Sequence, residues 1–162
     1  MIASWNGKKS WSSDFQMKGD IKFEPLMNGS VEVTFNLKGV PPGKHGIHIH
    51  EKGMFCEEQL QTTNPCNCTH GHYNPEEKDH GFHVGDLCFN IEPDTSGNVK
   101  FSYIDGRLGQ YLYDLPGRTV VLHEDEDDLG LLGENRDPES LKSGNAGNRI
   151  ACAEIFQEKK TI

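Results

Sequence analysis

No stretch of this chain is apolar for long enough to cross a bilayer, and its first ten residues, Met1 to Ser10, lack the apolar run of a signal peptide. The sequence therefore reads as that of a soluble, cytoplasmic protein with no membrane partner. Positive charge is scarce as well: 16 Lys and Arg against 25 Asp and Glu leave a formal charge of −9. That argues against general binding to nucleic acid or to an anionic membrane, which needs a basic face, while leaving room for a small anion held at one site. Internal repeats, low-complexity tracts and convincing helical periodicity are missing too. A hydrophobic content of 34% with 18 glycines and 8 prolines argues against a helical bundle and for short strands joined by turns. The 162 residues suit a single domain, 1–162, large enough to bury roughly two-thirds of its unfolded surface.

What is present is alternation of period two. Phe15, Met17, Ile21 and Phe23 recur at even spacing, broken at Gly19, and after Asn28-Gly29 the set Val31, Val33, Phe35 and Leu37 alternates without interruption, a hairpin pattern. The polar stretch before it, Ser4 to Ser13, carries both tryptophans and does not declare itself as a strand. Beyond Pro41-Pro42-Gly43, Lys44 to His50 reads as a strand with Ile47 and Ile49 on one face and His48 and His50 on the other. Leu87, Phe89 and Ile91, the turn at Ser96-Gly97, and Val99, Phe101 and Tyr103 continue a meander. Tyr111 to Tyr113 reads as a weak strand. Arg118 to Glu124 reads as a strong one, with Val120 and Leu122 on one side and Thr119, Val121 and His123 on the other. Arg149 to Phe156 is the last, and the pattern as a whole describes an all-β antiparallel sandwich or barrel with two long loops.

Eight histidines, at 45, 48, 50, 70, 72, 80, 83 and 123, are far more than a surface of this size ordinarily shows. Four lie between Cys66 and Asp86, a loop also rich in carboxylates and provided with turn residues at Gly71, Pro75 and Gly81. Neutral imidazole and carboxylate are the donors that Zn²⁺ and Cu²⁺ favour, so this loop reads as a metal site. A single one of these histidines would ordinarily be a solvated or hydrogen-bonded side chain; the clustering argues against that for the set. The cysteine count of five is odd, which leaves at least one thiol free or paired between chains.

The motifs His48-Ile-His50-Glu51, Gly71-His72-Tyr-Asn-Pro75, His83-Val-Gly-Asp86-Leu, Gly117-Arg-Thr119, Val121-Leu-His123-Glu124, Asp127-Asp-Leu-Gly130 and Gly144-Asn-Ala-Gly-Asn-Arg149-Ile-Ala-Cys152 resemble those of the copper/zinc superoxide dismutases. The likeness runs in order from about Asp20 to Cys152, leaving 1–13 poorly matched. It implies an eight-stranded Greek-key barrel and dismutation of superoxide to O₂ and H₂O₂, with copper cycling between Cu²⁺ and Cu⁺. Copper would be held by His48, His50, His72 and His123. Zinc would be held by His72, His80, His83 and Asp86, with His72 bridging the metals and carrying a proton in the family's usual scheme. Three imidazoles on rigid strands independently suit a tetragonal copper site, and a loop-borne His₃Asp set suits tetrahedral zinc.

The resemblance further implies that Asp127, rather than Asp128, orients one histidine of each site, and that Arg149 holds superoxide at the copper while Lys142 and Arg136 help steer it. It implies a Cys66–Cys152 disulfide, with Cys56 and Cys68 as competitors. His45 is expected to be structural, facing away from His48. Only Gly81 and Phe82 separate His80 from His83, a shorter step than the family's, with His70 as the substitute ligand if the segment cannot turn. A homodimer through Gly53, Gly117 and the terminal strands is implied, although Glu154 stands where relatives carry an apolar interface residue and Pro116 precedes Gly117. Neither Asn148 nor Ile150 is proline, and prolines there accompany strict dependence on a copper chaperone in some relatives, so loading without a chaperone is expected. The competing readings are a copper-buffering or chaperone domain of the same fold, and a zinc-only structural module using Cys66, Cys68, His70 and His72.

Overall fold

A computed structural model describes residues 1–57, 63–135 and 137–158, without the side chains of Phe89, Glu134 and Asn135. Its strands are β1 (Ile2–Ser4), β2 (Ser10–Ser12), β3 (Lys18–Pro25), β4 (Val31–Lys38), β5 (His45–His50), β6 (Asp86–Ile91), β7 (Val99–Asp105), β8 (Thr119–His123) and β9 (Arg149–Phe156). They pair antiparallel in the order β6-β5-β8-β9-β1-β3-β4-β7, a nearly closed eight-strand barrel, with β2 pairing to β9 beside β1. The links β4 to β5 and β7 to β8 cross between the two halves of this order, the Greek-key arrangement.

The hairpin β3–β4 forms where alternation called for it. Val31, Val33, Phe35 and Leu37 are buried in the barrel while their neighbours face outward, and Phe35 stacks on Phe101 of β7 with ring centroids 4.7 Å apart. The break at Gly19 has a steric cause: φ is +106°, and a Cβ there would lie 2.0 Å from the carbonyl oxygen of Asn36. In β5 and β8 every residue is buried, because the second face of these strands is covered by the two long loops. Ile47, Ile49, Val120 and Leu122 enter the main core, and Val121 joins a smaller cluster with Met54, Cys66, Cys152 and the half-buried Trp11.

Two expectations are corrected and one open point is settled. Tyr111 to Tyr113 is not a strand but part of a 3₁₀ helix, Leu108–Asp114, which buries Leu108 and Leu112. A helix does exist: α1 (Pro138–Ser143) starts at Asp137, whose side chain accepts from Glu139 N, and stops at Gly144 in the left-handed conformation. The open stretch, Ser4 to Ser13, holds the last residue of β1 and the whole of β2, with Trp11 opposite Cys152.

Candidate metal centre

Strands β5 and β8 bring His48, His50 and His123 together, and β-bulges at Ile47/His48 and Leu122/His123 turn the chain beside two of them. His72 arrives from the loop and is fixed by an antiparallel bridge to His50. Donor atoms of these four buried histidines lie within 4.8 Å of one another. The three strand-borne rings are oriented by their far nitrogens: His50 Nδ1 donates to His70 O (2.8 Å), His123 Nδ1 to Gly147 O (3.1 Å) and His48 Nε2 to Asp127 Oδ2 (2.5 Å). The near nitrogens converge, with His50 Nε2 and His123 Nε2 3.2 Å apart. His48 Nδ1 and His72 Nε2 are buried without a partner among the described residues. Buried polar atoms are ordinarily satisfied, so two bare nitrogens in one cluster point to a ligand of the lone pairs. Burial, reinforced by neighbouring imidazoles, holds His48, His50 and His72 below the ordinary histidine value and His123 down to about 3, which keeps all four in the metal-ligating neutral form.

A second cluster adjoins the first. Asp86 Oδ1 lies 3.1 Å from His72 Nδ1, 3.2 Å from His80 Nδ1 and 3.2 Å from His83 Nδ1, and the last is 3.4 Å from His72 Nδ1. Four donors about 2.0 Å from a tetrahedral zinc stand about 3.3 Å apart, so this set has the spacing zinc requires. His48 also falls within 4.8 Å of His72, His80 and Asp86, but its Nε2 is committed to Asp127, which leaves His83 as the better fourth donor. Burial alone would raise Asp86, yet its contacts with His72, His80 and His83 outweigh that and hold it well below the usual carboxylate range. The short step from His80 to His83 is achieved by Gly81 at φ +95°, with Gly81 N and His83 N both donating to Asp86 Oδ2. His70 is exposed, and its part is to accept from His50 through its carbonyl. His45 is buried with both ring nitrogens on backbone carbonyls, as its structural reading requires.

Asp127 links the clusters. Its carboxylate accepts from His48 Nε2 and, at 2.8 Å to each oxygen, from His80 Nε2. Asp128 is occupied elsewhere, accepting from Gly130 N, Ser140 Oγ and Asn145 Nδ2. Gly144, which the sequence reading quoted within a motif but gave no role, packs the end of α1 on this bridge: a Cβ would fall 2.3 Å from Asp127 Oδ1 and 2.4 Å from His80 Nε2. Arg107, also missed, ties the second cluster to the barrel by donating to His83 O (3.0 Å), Asp86 O (2.6 Å) and Asp105 Oδ2 (3.1 Å). Its signal was weak, a lone arginine after a strand.

A cavity of about 310 Å³ opens onto His50, His72 and His123 and is lined by Arg149, Lys142 and Glu139. Arg136 lies outside the described residues. Leu131 and Leu132 remain 67% and 46% exposed, and nothing in the structure explains them. Cys66 pairs with Cys152, Cys56 with Cys68, and Cys88 is the unpaired thiol. With Cys66 and Cys68 both in disulfides, the zinc-only module loses its sulfur ligands.

Fold and site define a β-barrel metalloprotein with two adjoining sites that share one imidazole and a guanidinium at the mouth of one of them. The family described as copper/zinc superoxide dismutase (SODC) matches residues 17–155. An extracellular copper/zinc superoxide dismutase of Drosophila melanogaster is 43% identical over 157 residues, covering 89% of this chain and 78% of that protein. A copper/zinc superoxide dismutase of Paramecium bursaria Chlorella virus 1 is 38% identical over 154 residues, covering 90% and 76%. Among solved structures, the clock protein EA4 superposes with a TM-score of 0.75 at 35% identity, over 94% of this chain and 90% of that one. The chain belongs to the copper/zinc superoxide dismutase family. It is an enzyme of superoxide dismutation whose cofactors are copper and zinc.

Proposed function

We propose that this chain converts superoxide to O₂ and H₂O₂ at a centre in which His48, His50, His72 and His123 hold copper and His72, His80, His83 and Asp86 hold zinc. The observation that carries this reading is His72, whose Nδ1 sits among one set of donors while its Nε2 is buried and bare toward the other. Copper, when bound, supplies the one-electron exchange with substrate, and zinc neutralises the Asp86 side. Arg149 stays charged and meets the anion, Lys142 adds a second positive group at the cavity, and both act in a molecule of net charge −9. His72 Nε2 is the protein atom placed to take up and hand on a proton. Asp127 sets the tautomers of His48 and His80 by accepting both Nε2 protons.

Metal content measured beside superoxide turnover tests this. Equimolar copper and zinc with chelator-sensitive turnover supports it, and zinc alone without turnover sinks it. A copper carrier of the same fold is disfavoured by Arg149, since a carrier needs no substrate-guiding cation.

A homodimer through Gly53, Gly117 and the terminal strands is the family-based expectation. On this face Glu154 is buried against Lys9, and Gly53 packs against Glu154 and the carbonyl of Gly117. A two-fold contact would bury two copies of that ion pair, whose desolvation offsets much of the association energy, so the dimer proposed is a weak one. Sedimentation should show a concentration-dependent monomer–dimer equilibrium; a dimer that survives nanomolar dilution refutes this. Copper loading without a chaperone is supported by Asn148 and Ile150 and is tested by metal content after expression in cells lacking one. For location, no helix among the described residues is long and apolar enough to cross a membrane. The cytoplasmic reading is opposed by the two disulfides and by the Drosophila relative's name, and cell fractionation decides it.

A further inference from the structure

The two disulfides meet on one 3₁₀ turn, Pro65–Thr69, which carries both Cys66 and Cys68. The same turn orients Arg149. Nη1 of that residue donates to Cys66 O (2.9 Å) and to Thr69 Oγ1 (3.0 Å), and Thr69 Oγ1 in turn donates to Cys66 O (2.8 Å). Asn64 completes the clamp: its Oδ1 accepts from Cys66 N and its Nδ2 donates to Arg149 O. Both hydrogens of Nη1 are thereby committed to the turn, and an anion in the cavity is met by the remaining donors of the guanidinium.

The two ends of this turn are held differently. The Cys66 end is fastened to β9 through Cys152, three residues beyond Arg149. The Thr69 end is not reached by that bond. It runs into His70, a non-glycine residue at φ +62°, a conformation that must be imposed by its surroundings. What imposes it is Lys52 N donating to Thr69 O (3.1 Å), His50 Nδ1 donating to His70 O, and the covalent tie from Cys68, next to Thr69, back to Cys56. Without that tie burial and hydrogen bonds alone keep Thr69 Oγ1 in place, and when it shifts Arg149 is left with Cys66 O.

We propose that the Cys56–Cys68 disulfide positions Arg149 for anion capture by holding the Thr69 end of the turn on which the guanidinium rests. This builds on the reading of Arg149 as the residue that meets superoxide. Cys56 and Cys68 touch neither substrate nor metal; they act through Thr69.

The test uses the full chain loaded with copper and zinc, with azide as the anion probe, its affinity read from the change in the copper absorption spectrum. Cys56→Ser/Cys68→Ser should keep its metal content while its azide dissociation constant rises about five- to tenfold, the net effect of losing one ordinary hydrogen bond. Superoxide kcat/KM should fall by a similar factor. Thr69→Val should do the same, and the triple variant should be no worse than either parent, because both changes remove one support. If the serine pair loses metal, Cys56→Ala/Cys68→Ala, which introduces no buried hydroxyl, takes its place under the same criteria. Loss of metal or of fold by both pairs would assign the disulfide to general stability and overturn the proposal. So would an unchanged azide affinity in the metal-replete pair, or additive effects in the triple variant. Arg149→Ala separates the two levels: if it leaves azide affinity unchanged, the reading of Arg149 fails, whereas if it weakens azide and the cysteine pair does not, only the positioning role fails.

Discussion

Replacing Asp127 by asparagine should weaken copper more than zinc. In the wild-type chain Oδ1 accepts from Leu129 N (2.7 Å), Oδ2 accepts from His48 Nε2 (2.5 Å), and His80 Nε2 is shared between the two oxygens at 2.8 Å to each. Asparagine of the same shape offers one acceptor oxygen and one NH₂ donor. The Leu129 amide demands an acceptor, so the oxygen takes the Oδ1 place and the NH₂ lands opposite His48 Nε2–H. Two donors then face each other. His48 can relieve the conflict only by moving its proton to Nδ1, the nitrogen that is bare in the first cluster. His80 loses the half of its contact made to Oδ2 but keeps the half made to Oδ1, so it is disturbed less than His48, whose one contact with the carboxylate is to Oδ2. Changing a group that orients a metal ligand costs about 10–100-fold in affinity, or about 1.4–2.7 kcal/mol. Copper should lose that factor and zinc a smaller one, measured for each metal by competition with a chromophoric chelator at fixed pH. Zinc weakened more than copper, or neither metal affected, would refute the tautomer reasoning. Asp127→Ala, which strands both imidazole donors, should weaken both metals.

Arg149→Glu should retain its metals yet lose about tenfold or more in kcat/KM, and rising ionic strength should slow the wild type but not the variant; a wild-type rate indifferent to salt counts against steering. The metal-free chain should be acid-sensitive. Burial holds His48, His50, His72 and His123 below their unfolded value near 6.5, so below that pH the unfolded chain binds protons that the folded chain does not, and stability falls with pH through about 3. His80 runs the other way. Burial opposes its charge, but Asp127 and Asp86 outweigh this and raise it to about 9, so its contribution is full below about 6.5 and is lost as pH rises through about 9. The urea midpoint of the metal-free chain should therefore peak near neutrality, and a flat profile from pH 4 to 9 would contradict this. Burial pushes the Cys88 thiol up to about 12, which at pH 8 leaves about a thousandth of the thiolate of an ordinary cysteine. Iodoacetamide should label Cys88 only after denaturation; ready labelling of the native protein would show the site to be open.

The barrel was readable in the sequence where one face of a strand meets the core. In β4 the alternation of Val31, Val33, Phe35 and Leu37 is a direct image of burial. In β5 and β8 the histidines on the second face declared the site, because burying imidazoles in a strand has no packing rationale. The segment around Tyr111 misled because its burial follows Leu108, Leu112 and Leu115, a helical spacing hidden by two exposed-looking tyrosines. Helix α1 is too short for periodicity, and only its caps, Asp137-Pro138 and Gly144, could have given it away. β1 and β2 escaped notice because their attachment to β9 is made by backbone groups that carry no side-chain signature. Five cysteines do not fix their own pairing, so the Cys56–Cys68 bond had no basis in spacing. The choice of Asp127 over Asp128 came from resemblance alone, and no local pattern distinguishes two adjacent carboxylates.

Arg107 bears on more than local geometry. A single guanidinium gathers the carbonyls of His83 and Asp86, on either side of the turn that delivers two donors to the second cluster, and binds them to Asp105, just before the 3₁₀ segment Leu108–Asp114. Ion occupancy and the anchoring of that segment are thereby parts of one cooperative unit. A chain stripped of zinc should breathe there first, with amide exchange quickening between Asp105 and Leu112, at a distance from the vacated ligands.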